Sequence, residues 1–164
     1  MVAMPIKDAT RSRETRARQA HLRAGSSLTK EARTPEDALG RAMAVRREVL
    51  GGAYVDANLA DADDFMMAFQ DLVTEQVWGR AWAGSALDRR TKSILTLGIL
   101  AASGRFQEVE IYTRGALRCG VSVEEIREAL VHVAAYCGAP AGRQAFVAAH
   151  AALVEAGALA PRQG

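Results

Sequence analysis

The stretch from Asp88 to Gly138, DRRTKSILTLGILAASGRFQEVEIYTRGALRCGVSVEEIREALVHVAAYCG, decides the fold class. It reads as three helices separated by glycine stops. Asp88 can start the first, whose Ile94, Leu95, Leu97, Ile99 and Leu100 point all round the axis, so that helix is expected to be covered on every side. Gly104 stops it. The second runs from about Arg105 to Cys119 and is closed by Gly120 in the left-handed conformation that helix ends favour. Ser122 and Glu125 form an S-x-x-E capping box for the third, which carries Ile126, Leu130, Val133, Ala134 and Cys137 on one stripe before Gly138 and Pro140 break it.

Working outward, Thr34 can cap a helix with Pro35 at its first position, Asp37 in its first turn and Leu39, Met43 and Leu50 along one side. Gly51 and Gly52 end it. A further helix opens near Asp61, places Phe65, Phe69, Leu72, Val73 and Gln76 on one face, and runs out after Trp78 and Gly79. An Ala-rich helix spans about Pro140 to Glu155 and ends at Gly157. Nothing from Thr34 to Gly157 alternates with period two. With five or six helices, and aromatic residues only 5% of the chain, the predicted class is all-α, in one compact domain over residues 34–158.

Charge and cysteine usage narrow the partners. Residues 1–33 carry eight Lys or Arg against three acids, a charge of +5, which leaves −3 for the rest of the +2 chain. The basic segment has few large apolar residues and reads as an arm outside the domain. A body of negative sign offers no basic face to nucleic acid. The longest uncharged run, Ser93 to Ser103, falls well short of the roughly 20 residues of a membrane span. Cys119 and Cys137 are the only cysteines, far apart and without a preceding secretory signal, so reduced thiols and a cytoplasmic location are expected.

Glu108 and Tyr112 lie four apart on the helix from Arg105 to Cys119, so a carboxylate and a phenol share one face, with Arg114 and Arg118 a second pair displaced around the axis. From the spacing alone, an exposed, ordinarily solvated helix is the favoured reading over an acid–base pair. His21 falls in the arm. His132 and His150 lie on separate helices with no HxxxH or HExxH spacing, so no metal site is expected. His132 sits beside a buried stripe, and Cys137 precedes a helix break, where a small buried hydrophobe is the ordinary role. There is no Gly-rich phosphate loop, GxSxG elbow or CxxC.

Several words, in order, resemble the γ-carboxymuconolactone decarboxylases. They are Arg41-Ala-Met-Ala-Val-Arg-Arg-Glu-Val-Leu-Gly51, Phe69-Gln-Asp, Trp78-Gly with Trp82, and Leu87-Asp-Arg-Arg-Thr-Lys-Ser-Ile-Leu-Thr96. Arg114-Gly-Ala-Leu, Gly120-Val-Ser-Val-Glu-Glu-Ile-Arg-Glu128 and Ala135-Tyr-Cys-Gly-Ala-Pro-Ala141 complete the set, which covers roughly residues 40–155. The resemblance implies an all-helical subunit of the kind shared with alkylhydroperoxidase D proteins, assembled as homotrimers or hexamers with active sites near subunit contacts. It also implies removal of carbon dioxide from a small carboxylated γ-lactone or related enolisable ring without a metal or an organic cofactor, as in aromatic catabolism.

That family's helix reads Glu-x-x-x-His ahead of an arginine. Here the window is Glu108-Val-Glu-Ile-Tyr112-Thr-Arg114, with Tyr112 at the histidine position. The resemblance then implies Glu108 as proton donor or acceptor, Tyr112 as hydrogen-bond donor to an oxyanion, and Arg114 as carboxylate anchor. Arg47 of the Val-Arg-Arg word is a second substrate-binding candidate, with a surface ion pair as its plainer role. The hydroperoxidase pattern Cys-x-x-Cys-x-x-x-His would need thiols at 105 and 108, which hold Arg105 and Glu108. A diverged accessory or binding oligomer, and a redox protein using Cys137 with His132 in a pocket, are the alternatives. Trp78 and Trp82 are read as core or oligomer packing.

Overall fold

Helix starts in this chain are set by short polar side chains that take over unpaired backbone N–H groups. Asp63 accepts from Met66 N at 2.9 Å and Asp88 from Thr91 N at 2.7 Å. Ser122 and Glu125 close the capping box, with Glu125 N donating to Ser122 Oγ at 3.2 Å and Ser122 N to Glu125 Oε2 at 2.9 Å. Thr34 Oγ1 likewise accepts from Asp37 N at 3.1 Å. At the other ends, Gly120 takes φ of +79°, a conformation in which a side chain would be strained.

The computed structural model describes residues 34–161. They form α1 (Pro35–Leu50), α2 (Gly52–Ala60), α3 (Asp64–Leu72) continuing as a π-helix (Val73–Trp82), α4 (Arg89–Ala102), α5 (Phe106–Arg118), α6 (Val123–Cys137) and α7 (Ala139–Glu155). No strand occurs among the described residues, so the class is all-α. None of these helices is long and apolar enough to cross a membrane. The basic arm, with His21, lies outside the described residues.

Helices α4 to α7 enclose one core, in which α5 and α6 pack on α7 and α4 packs on both. Leu97, Val109, Ile126 and Leu130 are fully buried there. A second core joins α1, α2 and the π-helix through Val45, Val49, Val55, Trp78 and Trp82. Tyr112 on α5 packs against both cores. The approach of α5 to α1 requires Gly115, where an added Cβ would lie 3.0 Å from the Val49 carbonyl oxygen.

Three expectations are corrected. A separate α2 follows Gly51, where the chain was expected to run without a helix until Asp61. The apolar stripe expected to bury α3 faces outward instead, with Phe65 84% exposed and Phe69 and Leu72 also exposed. The buried stripe is Gln70, Thr74, Trp78 and Trp82. Finally, α4 is not covered all round: Leu97 and Ala101 are buried, but Leu95 and Ile99 are exposed beside Tyr136 of α6.

Candidate active site

The four-residue repeat Gln70, Thr74, Trp78, Trp82 builds the site from one continuous helical rod. Its C-terminal half is π-helical, shown by Ala83 N donating to Trp78 O at 3.1 Å, five residues back. Extended π-helix is rare and tends to occur at functional sites. Its last turn is held by cations from the start of α4. Lys92 Nζ donates to Trp82 O at 2.9 Å and also to Gly84 O, and Arg89 donates to the same Trp82 oxygen. Positive charge at a helix C-terminus satisfies its unpaired carbonyls and complements the dipole.

The two indoles and the Tyr112 phenol form a three-ring wall. Trp78 and Trp82 have centroids 5.2 Å apart, Trp78 lies 6.4 Å from Tyr112 and nearly parallel to it, and Trp82 lies 6.2 Å from Tyr112. Burial pushes the Tyr112 hydroxyl up to about 12, with Tyr54 and Glu108 adding to the rise and Arg46 opposing it. The phenol is therefore neutral across the physiological range and available as a hydrogen-bond donor. Glu108 is half-buried one turn before it.

Arg46 completes the group from α1. Only 5% exposed, it donates from Nη2 to Gln70 Oε1 at 2.6 Å and from Nη1 to Thr74 Oγ1 at 3.0 Å. Thr74 in turn donates to Gln70 O at 2.8 Å. Both partners of the guanidinium are neutral, and no carboxylate among the described residues forms an ion pair with it. Its Nε is buried and has no hydrogen-bond partner among the described residues. Burial draws its pKa downward, yet a guanidinium keeps its charge in proteins.

The residues singled out from sequence fall into four places. Glu108 and Tyr112 belong to the group just described. Arg47 turns away from it, exposed and paired with Asp56 at 2.5 Å. Arg114 pairs with Glu155 at 2.6 Å beside a separate cavity of about 490 Å³ with Leu117 and Arg118. Cys137 and His132 line an open, apolar groove of about 640 Å³ between α4 and α6, where the His132 and Tyr136 rings lie 4.7 Å apart. Cys137 and Cys119 are both free thiols. Among the described residues, no three His, Cys, Asp or Glu side chains cluster as metal ligands would.

Sequence reading did not single out Arg46, Gln70 or Thr74, and it assigned the tryptophans to packing. A signal was present in the four-residue spacing from Gln70 to Trp82, but it is a stripe of two polar and two aromatic residues beside a more hydrophobic one.

The carboxymuconolactone decarboxylase family model matches residues 67–151, which carry Gln70, Thr74, both tryptophans, Glu108 and Tyr112. The chain is 43% identical over 103 residues to a nitrosuccinic acid decarboxylase of Metarhizium robertsii, covering 63% of this chain and 72% of that protein. It is 35% identical over 102 residues to a 4-carboxymuconolactone decarboxylase of Acinetobacter baylyi, covering 62% of this chain and 76% of that protein. The helical architecture, the ordered sequence words and these matches agree, and the chain belongs to the carboxymuconolactone decarboxylase family.

Proposed function

We infer that the protein is a cofactor-independent decarboxylase of a small polycarboxylate that carries its own electron sink next to the departing carboxylate. The observation that carries this reading is the neutral, buried Tyr112 phenol packed against two indoles and beside an uncompensated arginine charge. The bond between the carboxylate carbon and its neighbour breaks, and its electron pair moves into the sink as carbon dioxide leaves. Tyr112 donates a hydrogen bond to the oxygen on which negative charge develops, in a setting with little water to weaken it. Where the resulting carbanion must be protonated before release, Glu108, on the same face one turn away, relays a solvent proton to carbon.

The two relatives suggest two sinks. In a carboxymuconolactone the charge ends on a lactone carbonyl oxygen, and the enolate must be reprotonated at carbon before product forms. In a nitrosuccinic acid it ends on a nitro group as a nitronate, an anion stable enough to leave and take its proton from water. A phenol near pKa 12 donates hydrogen bonds well and exchanges protons poorly near neutrality. Tyr112 in place of histidine therefore favours the nitro dicarboxylate, and the 43% identity to the nitrosuccinic acid enzyme supports the same choice.

Carbon dioxide release from each compound by the purified chain tests this. Faster release from nitrosuccinate is expected, and release from neither compound would overturn the decarboxylase reading. A homo-oligomer remains part of the proposal, with the exposed apolar residues of α4 and α6 covered by further copies.

A further inference from the structure

A buried guanidinium whose hydrogen-bond acceptors are all neutral is an unusual thing for a fold to keep. Charges removed from water are ordinarily paired, because an unpaired one is costly to bury. Among the described residues, four other arginines have carboxylate partners at the surface, where they gain little from them. Arg46, the arginine with most to gain, is given an amide and a hydroxyl instead. Those two contacts fix the plane of the guanidinium without cancelling its charge. They occupy two of its five N–H donors, and the Nε–H is among those left over. Its neighbours Tyr112 and Tyr54 are phenols.

We propose that Arg46 is the carboxylate anchor of this site, gripping the carboxylate that a small dicarboxylate retains through the N–H groups that Gln70 and Thr74 leave unused. The assignment rests on the decarboxylase reading for its ligand class and on the buried, unpaired Nε for its position. It transfers to Arg46 the anchoring role that sequence reading gave to Arg114 and Arg47, whose charges Glu155 and Asp56 already meet. Arginine suits the task because its planar fork matches a carboxylate with two parallel hydrogen bonds.

Gln70 supplies a discriminating test. In Gln70→Glu a carboxylate replaces the amide whose oxygen lies 2.6 Å from Arg46, so the variant carries its own competing anion. If Arg46 were only structural, this change would stabilise the protein and leave ligand binding alone. As an anchor, Arg46 loses its ligand while the protein gains stability.

The probe is succinate, which has two carboxylates and no electron sink, with neutral succinamide as control. The readout is the fluorescence of Trp78 and Trp82, the only two tryptophans in the chain. Wild-type protein is expected to give a saturable change with succinate and none with succinamide. Gln70→Glu is expected to melt at a higher temperature, and both it and Arg46→Lys to bind succinate about 10- to 100-fold more weakly, the scale of one charge-assisted hydrogen bond. Wild-type affinity in both variants, or no saturable response in the wild type, would overturn the proposal. If nitrosuccinate turns over with the same KM in both variants, the anchor is wrong and the decarboxylase stands. If succinate binding depends on Arg46 but no carbon dioxide is released from any substrate tested, the decarboxylase is wrong and the anchor stands.

Discussion

Tyr112 is unusual less for its identity than for its surroundings. A phenol at the surface would titrate near 10, whereas burial between two cores, with a smaller push from Tyr54 and Glu108, raises this one to about 12. Because the folded pKa lies above the unfolded one, folding favours the neutral form. That contribution is fully present below about pH 10, and is lost as pH rises from there through about 12. A spectroscopic titration of the folded protein should therefore show one tyrosine ionising near pH 12, and Tyr112→Phe should remove that step. Persistence of the step in the variant would place the shifted phenol elsewhere. At this scale sequence placed Glu108 and Tyr112 on one face, because residues four apart on a helix must share a face. It named Arg47 and passed over Arg46, which sits about 100° away on the same helix. Only the position of α3 and the π-helix shows which of the two turns inward.

Among the elements, the rod from Asp64 to Trp82 departs most from what hydrophobic periodicity suggests. Periodicity selects the more apolar face, and here that face is the outer one. The inner face is less apolar because it carries Gln70 and Thr74, the two side chains that hold Arg46. The wall they help to build depends on how closely α5 approaches α1, and Gly115 sets that distance. Gly115→Ala places a methyl group against the Val49 carbonyl oxygen, so the helices must separate. A loss of about 1–3 kcal/mol is expected from such overpacking, measured by urea unfolding, together with an altered near-ultraviolet circular dichroism from the Trp78, Trp82 and Tyr112 rings. Unchanged stability and an unchanged spectrum would mean that the contact does not set the spacing. The glycine stops and polar caps of α4, α5 and α6 were legible because each depends on one or two neighbouring residues, whereas the π-helical turn depends on Lys92 and Arg89 from another helix.

For the whole molecule, the all-α class follows from local signals and is observed. What single-chain patterning could not tell is which apolar faces stay uncovered. The α4–α6 groove, with Ile99 56% and Tyr136 80% exposed, and the outer stripe of α3 are two such surfaces. If further copies cover the groove, Ile99→Glu should shift the mass measured by light scattering toward the monomer, and an unchanged mass would place the contact elsewhere. The central claim is that Tyr112 stabilises the charge that decarboxylation releases, and the rate of carbon dioxide release from nitrosuccinate by wild type and Tyr112→Phe tests it most directly. The phenylalanine keeps the ring in the wall and removes only the donor. A fall in kcat of about 10²–10³-fold with little change in KM is expected, the usual scale for losing one such donor. Equal rates in the two proteins would contradict the account.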